Sequence, residues 1–168
     1  MARNEVMDQL HGHVAGMRRY ALVLTRNAHD AEDLVQDALT RAIAAADTWQ
    51  PGGDLRVWLF RILHNAFISD VRKKKVRREA RLDLPEPVVE ENQTKRLEVQ
   101  QVLAALNQLP EAQRQPIVLV ALEEMSYADA AKSLGIPIGT FMSRLGRGRQ
   151  ALRQLLGEMK VTKLRLVI

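Results

Sequence analysis

The sequence predicts an all-α chain made of two small helical domains joined by a flexible acidic linker. Apolar residues make up 46% of the 168 residues but aromatic residues only 4%, so the cores must be built from Leu, Val, Ile and Ala. Long stretches lack Gly and Pro and repeat apolar residues every three or four positions, which is the helical period. Between two such stretches the composition turns acidic and proline-containing, as in a linker. The predicted parts are a first domain, a linker, a second domain and a β-like or disordered tail, at residues 1–80, 81–96, 97–157 and 158–168.

The overall charge favours a polyanionic partner. The net charge is +5 and the isoelectric point about 9.9, which suits nucleic acid. Cysteine is absent, which excludes disulfides and thiolate zinc sites. No apolar run reaches the roughly 18 residues of a membrane span and no signal-peptide core is seen. We therefore expect a cytoplasmic protein with no membrane insertion, no metal and no cofactor.

The first domain reads as three helices. The first helix carries one apolar stripe, formed by Leu10, Val14, Met17, Ala21 and Leu24. The segment "RNAHD" interrupts that stripe, and Asp30 is expected to cap the next helix in a capping-box-like arrangement with Asp33. The buried side of this second helix is predicted to hold Leu34, Ala38 and Ile43. "QPGGD" at 50–54 predicts a turn before the third helix.

The third helix ends in a run of cations. Its apolar set is Trp58, Leu59, Ile62, Leu63, Phe67 and Val71. One or two cations would suit the negative end of the helix dipole. Here seven cations fall within ten residues and repel one another, which favours a patch that faces phosphates. These cations are Arg72, Lys73, Lys74, Lys75, Arg77, Arg78 and Arg81.

The second domain opens with a helix that ends at Leu109-Pro110. Its apolar positions are Leu97, Val99, Val102, Leu103 and Leu106. The next segment contains Pro116, and because a helix interior tolerates proline poorly, a kink or a fresh helix start is expected there. The apolar residues 117–122 that follow are expected to be buried.

A helix-turn-helix is predicted in the segment that begins "SYADAAKSLG". Ser126 with Asp129 forms a capping box, and Gly135 suits the left-handed conformation that ends a helix. Pro137 then favours a new helix start. A helix, a tight glycine turn and a second helix are the pattern of this DNA-binding motif.

The last helix divides into a core side and a small polar side. At about 100° per residue, the core side holds Ile138, Phe141, Leu145, Gly148 and Leu152. The opposite side holds Thr140, Ser143, Gly146, Arg147 and Gln150. An ordinary solvated face mixes Glu with Lys, but no acid occurs between 138 and 150. This pattern favours DNA readout by the polar side, with Arg144 and Arg149 flanking it and better placed for phosphates.

These motifs resemble those of a known family. "LPEAQRQPIVLVALEEMSYADAAKSLGIPIGTFMSRLGRGRQAL" is similar to domain four of the extracytoplasmic-function (ECF) sigma factors of bacterial RNA polymerase. "DAEDLVQDALTRAI" followed by "VWLFRILHNAFISDVRKKK" is similar to their domain two. The resemblance covers residues 8–157 and includes the order of the motifs and the acidic linker.

The resemblance implies a set of partners and sites. The partners are core RNA polymerase, through its β′ clamp helices and β flap, promoter DNA, and an anti-sigma factor that holds the protein inactive. The residues matching the docking site on the clamp helices are Asp33, Gln36 and Asp37. The residues matching the helix that melts and reads the −10 element are Trp58, Arg61 and Asn65, with Arg72, Lys73, Lys74 and Lys75 on nearby phosphates. The residues of the −35 surface are Thr140, Ser143, Arg144, Arg147, Arg149 and Gln150.

Three positions depart from the family pattern, and three other function classes compete with it. The family usually has Lys or Arg where this chain has Met142, and often a larger residue where it has Gly146. Pro116 is also unusual within its helix.

The competing functions each need fewer of these features. A sigma-like decoy that titrates an anti-sigma factor does not need DNA-reading cations, and an ordinary helix-turn-helix regulator does not need the acidic docking residues. No metal-ligand spacing supports an enzyme, because the histidines either diverge on a helix or stand isolated, at His11, His13, His29 and His64.

Overall fold

The computed structural model describes the backbone of residues 2–79 and 95–157, with side chains over 3–74 and 99–157. The chain divides into two compact units, Met1–Val89 and Glu90–Ile168. Every regular element in the described ranges is a helix, which confirms the all-α prediction. Most of the predicted linker and the whole tail, 158–168, lie outside the described residues.

In the first unit, the described residues 2–79 form three long helices. They are α1 (Ala2–Thr25), α2 (Ala28–Ala44) and α3 (Leu55–Glu79), with a short 3₁₀ turn at Ala46–Thr48. All three helices contribute to one core, in which Tyr20 of α1 and Phe60 of α3 place their ring centroids 5.6 Å apart. Both side chains are fully buried, as are Met17 of α1 and Val35 of α2. The aliphatic and aromatic side chains together fix the side of each helix that faces solvent.

The start of α2 differs from the prediction. The cap is Asn27, whose Oδ1 accepts the backbone N–H of Asp30 at 2.9 Å. Arg26 takes a left-handed φ of 58° and ends α1, so the extended cap residue comes directly afterwards and the new helix begins at Ala28. Asp30 therefore lies in the first turn, where its charge suits the helix dipole.

The predicted turn before α3 is present. Gly52 has a φ of +86°, and the Gly53 N–H donates to the Gln50 carbonyl at 3.0 Å. Asp54 Oδ1 then accepts the Val57 N–H at 3.2 Å and caps α3. The core side of α3 includes Phe67, but Val71 one turn later is exposed, so the predicted apolar set was one residue too long.

Over residues 95–157, the second unit forms four helices. They are α4 (Lys95–Gln108), α5 (Glu111–Ala121), α6 (Tyr127–Leu134) and α7 (Ile138–Gly157). Phe141, Leu145 and Leu152 form the buried side of α7, and Ile117 and Leu119 of α5 are buried in the same unit. The core-side prediction for α7 is confirmed at these positions.

Two burial predictions in this unit were wrong, at Leu122 and Ile138, and the fresh helix start expected at Pro116 does not occur. Pro116 lies inside α5, which continues through it. One intrahelical hydrogen bond is lost because proline has no N–H, and Pro116 is buried together with Ile117 and Val118. Leu122 is exposed because it follows the end of α5, and Ile138 is 50% exposed because it starts α7 before the helix reaches the core.

The helix-turn-helix has the predicted local chemistry. Ser126 Oγ accepts the Asp129 N–H at 3.1 Å, which caps α6. Gly135 has a φ of +65°, and the Ile136 N–H donates to the Ala131 carbonyl at 3.1 Å, closing the end of α6. The turn thus directs α7 away from α6 within three residues.

The contact between α5 and α7 generates a stability prediction. A Cβ added at Gly148 would lie 2.8 Å from the Gln113 carbonyl oxygen and 3.0 Å from Ile117 Cδ1, whereas one added at Gly146 meets nothing within 4 Å. Gly148→Ala should lower the free energy of unfolding by about 1–3 kcal/mol. Gly146→Ala, the matched control, should raise it by about 0.5–1 kcal/mol through helix propensity. Urea denaturation followed by circular dichroism measures both, and equal effects would contradict the close packing.

Candidate functional site

Three polar side chains form an exposed arc on α2. Asp33, Gln36 and Asp37 all face solvent, and we call this set the α2 arc. Asp37 is paired with Arg41 one turn on, at 2.9 Å from Nη2 and 3.0 Å from Nε. Asp33 lies 3.4 Å from His29 Nε2. The predicted docking residues therefore share one surface and leave the opposite side of α2 for the core.

A cross-helix ion pair supports the middle of the α2 arc. Arg18 of α1 donates to both carboxylate oxygens of Glu32, through Nε at 3.0 Å and Nη2 at 2.9 Å. Gln36 Nε2 donates to the same carboxylate at 3.2 Å. Hydrogen bonds from Arg18 and then Gln36 lower the pKa of Glu32, and the bond to Glu32 raises the pKa of Arg18. The sequence reasoning missed this pair, because only folding brings α1 beside α2.

The predicted −10 residues lie along α3. Trp58, Arg61 and Asn65 are spaced by three and four positions, so they share one face of the helix. Trp58 is half-buried, whereas Arg61 and Asn65 are exposed. Arg72 and Lys73 are exposed further along the same helix. The side chain of Lys75 lies outside the described residues.

Lys74 differs from its neighbours because its ammonium bridges two helices. Nζ lies 3.0 Å from Asp70 of α3 and 3.4 Å from Asp30 of α2. Burial opposes the charge, but the two carboxylates outweigh it and raise the pKa of Lys74. A phosphate contact by Lys74 would have to compete with this bridge.

The polar side of α7 is exposed, as predicted. Ser143, Gly146, Arg147 and Gln150 face solvent and Thr140 is half-buried. Arg147 Nε donates to the Ser143 carbonyl at 3.3 Å, which lays its side chain along the exposed side. The exposed side of α7 therefore carries small polar groups and one long cation, and such a side could enter a DNA major groove.

The two flanking arginines of α7 are half-buried. Arg149 Nη1 donates to the hydroxyl of Tyr127 on α6 at 3.1 Å, and its guanidinium carbon lies 5.9 Å from the centroid of that ring. Tyr127 was missed at the sequence level because it lies 22 positions from its partner. Met142, which departs from the family pattern, is 52% exposed.

Both units of the chain are similar in sequence to known proteins. The family model "Sigma-70, region 4" matches residues 99–152, and "Sigma2 domain of PhyR" matches residues 10–64. The ECF RNA polymerase sigma factor EcfG of Rhodopseudomonas palustris is 40% identical over 159 residues, which cover 91% of this chain and 86% of that protein. The chain belongs to the ECF RNA polymerase sigma factors. This is a family of transcription initiation factors, not of enzymes.

Another relative and two solved structures support the same family assignment. The ECF RNA polymerase sigma factor SigM of Mycobacterium tuberculosis is 36% identical, with 89% of this chain and 76% of that protein covered. The co-crystal structure of the sigma factor RpoE with the anti-sigma factor NepR from Bartonella quintana superposes with a TM-score of 0.82 at 35% identity, covering 91% of this chain and 97% of that one. CnrH, in complex with the cytosolic domain of CnrY, gives 0.68 at 28% identity, with 90% and 86% covered.

Two features are absent from the described residues. Over 2–79 and 95–157, no helix combines the length and the apolar character needed to cross a membrane. In the same part of the chain, no cluster of three or more His, Cys, Asp or Glu side chains could hold a metal ion.

The Lys74 bridge generates a prediction about the first unit. Lys74→Met removes a cation held by two carboxylates, whereas Lys73→Met removes an exposed neighbour and serves as the control. Because both partners of the bridge are partly exposed and screened by solvent, Lys74→Met should lower the free energy of unfolding by no more than about 1 kcal/mol. Lys73→Met should change it by less than about 0.5 kcal/mol.

Urea denaturation at low and high salt separates the two cases. The loss caused by Lys74→Met should shrink as salt screens the bridge. Equal losses for the two variants would show that the bridge contributes nothing particular to stability.

Proposed function

We propose that this sigma factor binds core RNA polymerase through the α2 arc and directs transcription initiation by contacting promoter DNA with α3 and α7. The observation that supports the proposal is that α7, the second helix of the helix-turn-helix, has one buried side and one exposed side. One side packs Phe141, Leu145 and Leu152 into the core, and the exposed side holds cations and small polar residues without an acid. The proposed parts are domain two at 1–80, a linker at 81–96 and domain four at 97–157.

The −10 element is assigned to α3. Asn65 offers both a carbonyl oxygen and an amide N–H₂, so it can recognise an unpaired base by its edge. Trp58 offers an aromatic ring on which an unstacked base could stack, and Arg61 lies between the two on the same face. Arg72, Lys73 and Lys75 are assigned to the adjacent phosphates. Lys74 is the fourth predicted phosphate contact. We expect it to bind phosphate most weakly of the four, because its bridge to two carboxylates competes with the phosphate.

The −35 element is assigned to α7. Arg147 and Ser143 lie on the exposed side, and we assign them to base edges in the major groove. Thr140 and Gln150 border them on that side. Arg144 and Arg149 flank the surface and are assigned to the phosphate backbone, which contributes affinity without sequence information.

We infer that an anti-sigma factor holds this protein inactive. Two similar chains, RpoE and CnrH, are seen in complexes, the first with the anti-sigma factor NepR and the second with the cytosolic domain of CnrY. Such a partner would cover the polymerase-binding faces of both domains, and the β′ clamp helices and β flap would compete with it. The protein would act in the cytoplasm, where RNA polymerase is, and would catalyse no reaction itself. The decoy alternative is disfavoured because α7 keeps its DNA-facing cations.

The docking assignment predicts the effect of reversing one charge in the α2 arc. Asp37→Arg should abolish most co-purification with core polymerase, because it places a cation where a carboxylate is expected to meet the clamp helices. It should also abolish transcription from a library of random promoters by core enzyme mixed with the variant. Helical content should stay unchanged, since Asp37 is exposed and has no place in the core.

Arg41→Ala is the matched control for this test. It breaks the same Asp37–Arg41 pair, which is worth about 0.3–0.5 kcal/mol within a helix, but leaves the Asp37 carboxylate in place. The docking assignment is supported if Arg41→Ala binds polymerase fully and Asp37→Arg does not bind it. Normal co-purification of Asp37→Arg would overturn the assignment.

The −35 assignment predicts different behaviour for two arginines. Arg147→Ala should cost about 1–3 kcal/mol and relax sequence preference at one promoter position, because it removes a base-edge contact. Arg149→Ala should weaken binding to all sequences alike and reduce the salt slope by about one unit. The measurement is the affinity of the holoenzyme for a panel of single-base −35 variants at several salt concentrations. A uniform loss from Arg147→Ala would move base readout to Ser143, to Gln150 or to DNA shape.

A further inference from the structure

One tyrosine of α6 contacts both the buried side of α7 and an arginine of the proposed −35 surface on α7. Tyr127 is the first residue of α6 and is 37% exposed. Its ring centroid lies 5.9 Å from that of Phe141, at an angle of 48°, and Phe141 is fully buried. The core therefore anchors one side of the Tyr127 ring.

Tyr127 also contacts Arg149. The guanidinium carbon lies 5.9 Å from the ring centroid, and Nη1 donates to the hydroxyl at 3.1 Å. The Nε–H group of Arg149 is buried and has no hydrogen-bond partner among the residues that the structure describes. Because a guanidinium carries five N–H donors, the hydroxyl occupies one of them and the two Nη groups keep others for a ligand. Burial of Nε and the bond at Nη1 together limit the guanidinium to one orientation.

A free arginine on a surface loses side-chain entropy when it binds a phosphate. The Tyr127 contact incurs that loss during folding instead of during DNA binding. We propose that Tyr127 is a positioning residue for promoter binding, whose ring and hydroxyl hold the Arg149 guanidinium in the orientation that meets the DNA phosphate backbone. The inference rests on the proposed phosphate role of Arg149.

Tyr127→Phe tests the proposal with a minimal change. It keeps the ring against Phe141 and under the guanidinium and removes only the hydroxyl. Holoenzyme affinity for a promoter carrying its preferred −35 element should fall about two- to tenfold, the range expected when one long side chain must be immobilised on binding. The salt slope should stay at the wild-type value, because the phosphate contact still forms. Arg149→Ala should instead lower the slope by about 0.9.

A double-mutant cycle separates positioning from a general structural role. In the Arg149→Ala background, Tyr127→Phe should have no further effect on affinity, since there is no guanidinium left to position. Thermal unfolding of the full chain should show nearly equal midpoints for wild type and Tyr127→Phe. An equal loss of affinity from Tyr127→Phe in both backgrounds would overturn the proposal, as would no loss in the wild-type background.

The same experiment distinguishes failure of this inference from failure of the proposed function. If Arg149→Ala leaves affinity and salt slope unchanged while Arg147→Ala still relaxes sequence preference, domain four reads DNA without Arg149 and the positioning role is rejected alone. If neither arginine variant affects promoter binding, the −35 assignment of α7 is rejected together with it.

Discussion

The close contact of α7 with α5 decides which side of α7 is available to a ligand. Gly148 approaches the Gln113 carbonyl so closely that a single added carbon would lie 2.8 Å from it. A helix held at that distance cannot rotate about its axis without separating Phe141, Leu145 and Leu152 from the core. The exposed side is therefore fixed as the side that holds Ser143 and Arg147. The position of the proposed DNA-reading side chains follows from packing on the opposite side of the same helix.

The charged groups near the proposed interfaces fall into two classes. Some are already held by the protein, such as Lys74 by two carboxylates and Arg149 by Tyr127. Others, such as Arg61 and Arg72, are exposed to solvent. A held cation loses less entropy on meeting a phosphate, but one paired with carboxylates must first give up those partners. The hydroxyl of Tyr127 is neutral, so Arg149 keeps its full charge for DNA, whereas the bridge neutralises Lys74.

Local sequence determines much of this fold, and the exceptions share a physical cause. The Ser126 cap, the Gly135 turn and the core side of α7 were predictable because each depends on residues within one or two helical turns. The cap of α2 was misplaced by three residues, because Asn27 and Asp30 are both good caps and the left-handed Arg26 decides between them. The exposure of Ile138 and Leu122 was missed because both fit the helical period but lie at the ends of helices, where that period no longer decides which side chains are buried. The Arg18–Glu32 pair and the Tyr127–Arg149 contact could not be predicted, because they join helices whose relative placement the sequence pattern does not specify.

Because α7 departs from the family pattern at two positions, the proposed −35 surface depends more on its remaining cations. The resemblance to ECF sigma factors leads one to expect a cation at position 142, where this chain has an exposed Met142, and a larger side chain at Gly146. Each missing phosphate contact lowers affinity for all DNA sequences and weakens the salt dependence. Within the proposed −35 surface, the electrostatic attraction must then come from Arg144, Arg147 and Arg149. A guanidinium already oriented by Tyr127 supplies more binding free energy per contact than a mobile one, so a surface with fewer cations depends more on how each is held.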